Sequence, residues 1–351
     1  MQLLIASQQD DATHLHRFAL DTAAGRLAEA GPPLDVAGAL YFTLDPAGQR
    51  LYCSYNAQAG RGEVAAYRLD TTTGQAEHLG TLATEGGEPC YLALAGDNGP
   101  LLVSNYAGPE KRGSVVAIRL DDDGRPAAVT SRHEHAGHSA NPRRQGESHP
   151  HSICPAPAGH FVYVPDLGID RIIIYRLDAH GRLRPADVAD PATPPGAGPR
   201  HLTFHPTRPW VYVVMELTGQ LLAYHRDEAT GSLEPIDQSP TLPDDFAGSN
   251  TAAELLIAPD GRHLFSSNRG HDSIAVHRVD DATGRLTPLG HCPTGGGNPR
   301  HFELSDDARF LIVSNTADDN VTILRHNEGH LEQVHQLPLP RAGCLKRWPH
   351  H

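Results

Sequence analysis

The sequence predicts an all-β protein, a seven-bladed β-propeller whose ring is closed by a C-terminal strand that completes the N-terminal blade. Three observations predict it. One pattern recurs seven times, its spacing matches a four-stranded unit, and the two ends of the chain are complementary halves of one unit. The expected organisation is a single propeller domain over residues 1–351.

The pattern is a short apolar stretch, a few polar residues, a second apolar stretch ending near Asp, then a Gly-containing turn. Examples are "LYCSYNAQAGRGEVAAYRLD", "LLVSNYAGPEKRGSVVAIRLDDDG" and "LFSSNRGHDSIAVHRVDDATG". The first apolar stretches begin near Leu3, Leu51, Leu101, Val162, Val211, Leu264 and Leu311. They are short, rich in β-branched and aromatic residues, and bounded by Gly, Pro or Asp, which is strand chemistry. Most copies are preceded by a further strand and hairpin turn, as in "YFTLDPAGQRLY" and "FELSDDARFLI". The first copy lacks that leading strand, and the segment around Gly343–Lys346 can supply it. Closure of this kind protects the edges an open array would expose. The interval between the third and fourth copies is longer by about a dozen residues. It holds "SRHEHAGHSANPRRQGESHPHSI", a loop on one face of the disc.

The formal net charge of −13 opposes nucleic acid as a partner. No apolar run approaches the roughly 20 residues that span a bilayer, so no membrane partner is expected. The N-terminus lacks a basic n-region, and five scattered cysteines show neither CxxC spacing nor a disulfide framework, which together suggest a cytoplasmic protein with reduced thiols. Oligomeric state is not legible. An anion bound by so acidic a chain must be held by a local cluster of cations.

The repeat register locates such a cluster. Just before the inner-strand apolar residues sit His149 and His151, Arg200 and His201, Glu254, and Arg300 and His301. The ends of the second strands carry Asn105, Asp166, Glu216, Arg269 and Asn315. Equivalent positions of successive blades converge on one axis, so an Arg, His and Glu funnel is expected at one mouth of the channel. Arginine grips carboxylate or phosphate bidentately, histidine exchanges protons near neutrality, and a carboxylate serves as base or orienting group. His133, His135 and His138 match no strong zinc spacing, and the Asp-Gly turns are explained by turn chemistry rather than calcium. No metal and no cofactor are expected.

"NPRRQGESHPHSI", "VYVPDLGIDRIIIYRLD", "GPRHLTFHP", "VYVVMEL" and "NRGHDSIAVHRVD" resemble the seven-bladed lactonase family of bacterial 6-phosphogluconolactonases, which includes fungal carboxymuconate cyclases. The resemblance covers essentially the whole chain. It implies His151, Arg200, Glu216 and Arg269 as catalytic residues, with His149, Arg144, Gln145 and His301 as substrate-binding neighbours. Met215 departs from relatives that carry Asn before the Glu. The expected activity is hydrolysis of a sugar-acid δ-lactone, 6-phosphoglucono-1,5-lactone first, by water attack. His151 or Glu216 acts as base, and the arginines hold the oxyanion or the substrate's anionic end. The alternatives are a carboxymuconate-type lactone cycloisomerase and a non-catalytic binding scaffold.

Overall fold

The computed structural model describes all residues except 10–11, 40, 58–59, 71, 98, 108–111, 158–159 and 350–351. Its described residues form seven four-stranded antiparallel sheets with no α-helix. The first sheet begins with β1 (Gln2–Gln9), β2 (Ala12–Asp21) and β3 (Arg26–Glu29). The second comprises β4 (Tyr41–Leu44), β5 (Arg50–Asn56), β6 (Gly62–Leu69) and β7 (Ala76–Ala83). The third comprises β8 (Gly87–Leu94), β9 (Leu101–Ala107), β10 (Ser114–Leu120) and β11 (Pro126–Glu134). The fourth is β12 (Cys154–Pro155), β13 (Phe161–Asp166), β14 (Arg171–Leu177) and β15 (Leu183–Pro185). The fifth is β16 (Pro199–Phe204), β17 (Trp210–Met215), β18 (Gln220–Arg226) and β19 (Leu233–Pro240). The sixth is β20 (Thr251–Ile257), β21 (His263–Arg269), β22 (Ser273–Val279) and β23 (Leu286–Pro293). The seventh is β24 (Pro299–Leu304), β25 (Phe310–Asn315), β26 (Asn320–Asn327) and β27 (His330–Pro338).

The last strand, β28 (Leu345–Trp348), returns to the first sheet and pairs antiparallel with β1, Ile5 opposite Leu345 and Gln2 opposite Trp348. The expected closing strand therefore forms, two residues later than the glycine that suggested it. The inner strand of the fourth sheet is only two residues long. Pro150, Pro155 and Pro157 surround it, and each proline removes a ladder donor. What pairing remains upstream is a bridge between Pro150 and Asp166 and the bond from His151 N–H to Pro165 O, 3.0 Å.

Second strands read as continuous apolar runs because they are covered on both faces: β13, β17 and β25 are buried at every position. The fourth strands lie at the rim, and β7 and β27 are accordingly polar and largely exposed. Between third and fourth strands a register shift recurs at Ala66/Tyr67, Ala117/Ile118, Ala223/Tyr224, Val276/His277 and Ile323/Leu324. Each precedes by three or four residues the Asp or Asn that ends the repeat's apolar stretch. A bulge at one place in five repeats adds the same local twist to each sheet. In the turns after the third strands, bulged or not, Asp21, Asp70, Asp178 and Asp280 accept backbone N–H bonds from residues two to four ahead. Such bonds, and at Asp280 first the Thr283 hydroxyl, hold all four carboxyls below the usual range, so the turns spend their acidic oxygens locally.

By contact the chain divides into two compact units. One is Met1–Pro33, His201–Asp227 and Leu233–Trp348; the other includes Leu34–Arg200 and Glu228–Ser232. Within the first, apolar layers join successive sheets. Tyr212, Val214 and Leu221 meet Leu255 and Leu264; Phe265 and Ile274 meet Phe302 and Val313; Ile312 and Val321 meet Leu3, Ile5 and Leu345. Within the second, Leu102 and Val115 meet Ile153, Val162 and Val164.

Candidate active site

In the second unit the long loop after β11 is fixed by two buried carboxylates. Asp166, at the end of β13, accepts His149 N–H at 2.7 Å and Gly168 N–H at 3.0 Å through Oδ1. Its Oδ2 is 2.7 Å from His135 Nδ1, and His135 Nε2 is 2.8 Å from the Tyr175 hydroxyl. Burial pushes the Tyr175 phenol well above its usual range, so it stays a neutral donor or acceptor here. His133 is directed to Leu183 O at 3.0 Å. The histidine-rich start of the loop is thus structural. Asp170 gathers Gln145 Nε2 at 2.7 Å, Gly196 N–H at 2.6 Å, Gly198 N–H at 2.7 Å and the Ser139 hydroxyl. One carboxylate therefore ties the Gln145 turn to the segment that delivers Arg200.

Gln145 is held by internal partners. Placed by sequence at the rim among substrate ligands, it is fully buried. Its amide donates to Leu167 O and Asp170 and accepts Asn141 N–H. A tight turn needs those internal partners, and meeting them points the side chain away from solvent. Arg144 sits half-buried on the same turn, its N–H bonded to Asn141 O at 3.2 Å. His149 and His151 flank one ring. Tyr106 stacks on His149 at 4.2 Å between centroids and meets His151 edge-on at 5.5 Å. His149 Nδ1 is also 2.9 Å from Tyr106 O. His151 and Arg200 are buried; the Cys90 thiol lies 3.4 Å from His151 O, and Ser152 donates to Arg200 O at 2.9 Å.

In the first unit Glu216 and Arg269 come together. Glu216 follows β17 and Arg269 ends β21, and Nη2 of the arginine is 3.1 Å from Glu216 Oε2. The guanidinium also donates to Thr251 O at 3.2 Å and Ala252 O at 3.1 Å, while Ala252 N–H donates to Glu216 O at 3.0 Å. The start of β20 is thereby held between the Arg269 side chain and the Glu216 main-chain carbonyl. Arg269 keeps 13% of its side chain exposed and Glu216 only 3%. His301, expected to touch substrate, is buried with Nε2 3.0 Å from Oε2 of Glu254, an inner-strand carboxylate one repeat earlier.

Sequence reasoning missed Tyr106, although a signal existed. Counting from the apolar starts Leu101, Val211 and Leu264, Tyr106 occupies the same repeat position as Glu216 and Arg269, directly after the residue at the Asn105, Met215 and Asn268 position. The preceding asparagines, read by sequence as part of the mouth, are instead buried clasps. Asn105 bonds Thr84 and Asn268 bonds Thr241, each through both amide atoms; Asn315 donates to Thr294 O. Met215, fully buried, fills that place with apolar packing, and Glu216 takes its hold from Arg269 instead. Among the described residues no group of three or more His, Cys, Asp or Glu is arranged to hold a metal ion.

Seven four-stranded sheets in chain order, the first completed by the last strand, define a β-propeller with polar side chains at repeat-equivalent strand ends. A family model described as "Lactonase, 7-bladed beta-propeller" matches residues 2–347. The chain belongs to this family of seven-bladed propeller lactonases, hydrolases of carboxylic esters. Similar proteins include the 6-phosphogluconolactonase of Bacillus subtilis (strain 168), 30% identical over 335 residues, covering 95% of this chain and 93% of that one. A 6-phosphogluconolactonase of Cronobacter sakazakii is 31% identical over 265 residues, 74% of this chain and 73% of its own. Among solved structures, the periplasmic gluconolactonase of Pseudomonas aeruginosa superposes with a TM-score of 0.89 at 28% identity, covering 99% of each chain.

Proposed function

We propose that the chain opens 6-phosphoglucono-1,5-lactone to 6-phosphogluconate by direct attack of water. The observation that carries the reading is the buried Glu216–Arg269 pair, a carboxylate and a guanidinium held side by side at two repeat-equivalent strand ends. Opening a δ-lactone needs a base for the attacking water, donors for the carbonyl oxygen as it gains charge, and a proton for the ring oxygen as its bond to the carbonyl carbon breaks. Glu216 accepts from or orients the water. Arg269, whose exposed edge is fixed by two backbone carbonyls, stabilises the oxyanion or holds the substrate's anionic end. By repeat register and family resemblance, His151 and Arg200 serve the same reaction as alternative base and second cation. With a net charge of −13, the chain relies on such local cations to hold a phosphorylated substrate. The names carried by the Bacillus and Cronobacter relatives favour the phosphorylated lactone. Five separate thiols favour a reducing, cytoplasmic compartment for the chain.

The test is hydrolysis of freshly generated 6-phosphoglucono-1,5-lactone, with spontaneous opening subtracted and unphosphorylated gluconolactone alongside. Glu216→Gln and His151→Ala are each expected to lower kcat/KM, the true base by roughly 10²–10⁴-fold. Near-normal turnover in both variants rejects the site. No acceleration of either lactone rejects the substrate and directs attention to muconate-derived lactones.

A further inference from the structure

One buried cluster in the first unit is left over by the proposed reaction. His201, Glu254 and His301 hold the same repeat position on three successive inner strands, β16, β20 and β24. His201 Nδ1 is 2.9 Å from Glu254 Oε1, and His301 Nε2 is 3.0 Å from Glu254 Oε2. All three are at least nine-tenths buried. His201 Nδ1 and Glu254 Oε1 share a hydrogen bond, whereas His301 Nε2 approaches Oε2 as a close polar contact without hydrogen-bond geometry. Glu254 Oε1 takes a further bond from Leu255 N–H at 3.1 Å. Its own N–H donates to the Ser267 hydroxyl at 3.0 Å.

These bonds converge on a weak point of the sheet. Between Ala252 and Leu255 the β20–β21 ladder shifts register, so the ladder itself does not fix the backbone there. The two residues just before the shift are Thr251 and Ala252, whose carbonyls hold the Arg269 guanidinium. A strand interrupted at a bulge needs side-chain bonds to keep its upstream carbonyls in place, and Glu254 supplies them through His201 and Leu255 N–H. Other charged groups near the cluster are Glu303 on β24 and Lys346 and Arg347 on β28. Burial, opposed by those two cations and reinforced by Glu254, pushes the Glu303 carboxyl up. Glu216 and Arg269 face β20 from β17 and β21.

We propose that Glu254, bonded to His201 and Leu255 N–H and in contact with His301, is a positioning residue for Arg269, locking the β20 bulge whose carbonyls aim the guanidinium. The inference rests on the proposed lactone reaction only for its kinetic consequence. Glu254→Gln tests it, because the amide puts a donor group where one carboxylate oxygen faces an imidazole nitrogen. In hydrogen–deuterium exchange of the full-length protein, the Ala252 amide is expected to exchange about tenfold faster or more in the variant, with β22 of the same sheet unchanged. Unchanged protection at Ala252 overturns the lock. In a kinetic cycle on 6-phosphoglucono-1,5-lactone, Glu254→Gln is expected to cost about tenfold in kcat/KM with Arg269 present and under about twofold in the Arg269→Ala background. Equal factors in both backgrounds overturn positioning through Arg269. Should Glu254→Gln not fold, His201→Gln removes one grip and is expected to act in the same direction. A wild-type protein inactive on lactones rejects the proposed reaction, and the exchange measurement still decides the lock.

Discussion

Single side chains in this protein are decided by what their strand leaves unsatisfied. His277 on β22 is buried with Nε2 2.9 Å from Pro240 O, and burial drives its pKa down to about 4 from an ordinary 6.5. The folded state keeps this imidazole neutral while the unfolded chain can protonate it. Stability therefore falls as pH drops below about 6.5 and the loss levels off near the folded value, on the order of 3 kcal/mol in all. His277→Gln keeps a donor for Pro240 O and removes the titration. Melting temperatures measured from pH 7 to pH 4.5 are expected to fall less in the variant than in the wild type; parallel curves would refute the assignment. Gln145 makes the same point, its amide bonded to Leu167 O, Asp170 and Asn141 N–H.

Between elements, the repeated device is a clasp from the end of a second strand to the segment after the preceding sheet. Asn105 donates to Thr84 O at 3.2 Å and accepts the Thr84 hydroxyl at 2.7 Å, both residues fully buried. Gly86 makes the approach possible, since a Cβ there would lie 2.5 Å from Asn105 Cγ. Asn105→Ala leaves a buried hydroxyl and carbonyl without this partner and is expected to cost about 1–3 kcal/mol in urea unfolding. A loss within about 0.5 kcal/mol, the usual range of an unspecialised surface change, would contradict the clasp. The repeat was legible from Asn105, Asn268 and Asn315 in register. Their role was not, because a polar residue after an apolar run looks alike whether it faces solvent or a buried carbonyl.

For the whole molecule the decisive contact is chain closure. β28 covers the edge of β1 and buries Leu345 against a layer that includes Leu3 and Ile5. A chain ending at Pro340 would expose the N–H and C=O row of β1 together with that apolar layer. It is expected to be insoluble or to self-associate, read by light scattering and by loss of a cooperative melt. A monomeric truncated chain with the wild-type melting temperature would show that closure contributes nothing. The seven blades and the closing strand are legible in the amino-acid pattern, because a first repeat without an inner strand and a spare strand at the other end complete each other.

Local patterning was enough for the repeat count, for the closing strand, and for the strand-end positions where Glu216 and Arg269 stand. Strand period, turn residues and repeat register carry that information without any knowledge of partners. How these polar residues are partnered was decided by tertiary packing alone. Glu216 is joined to Arg269, Glu254 bonds His201 and meets His301, and Gln145 bonds Asp170. Buried donors and acceptors must find partners, and partners some 50 residues apart are chosen by packing between sheets, which no local pattern encodes.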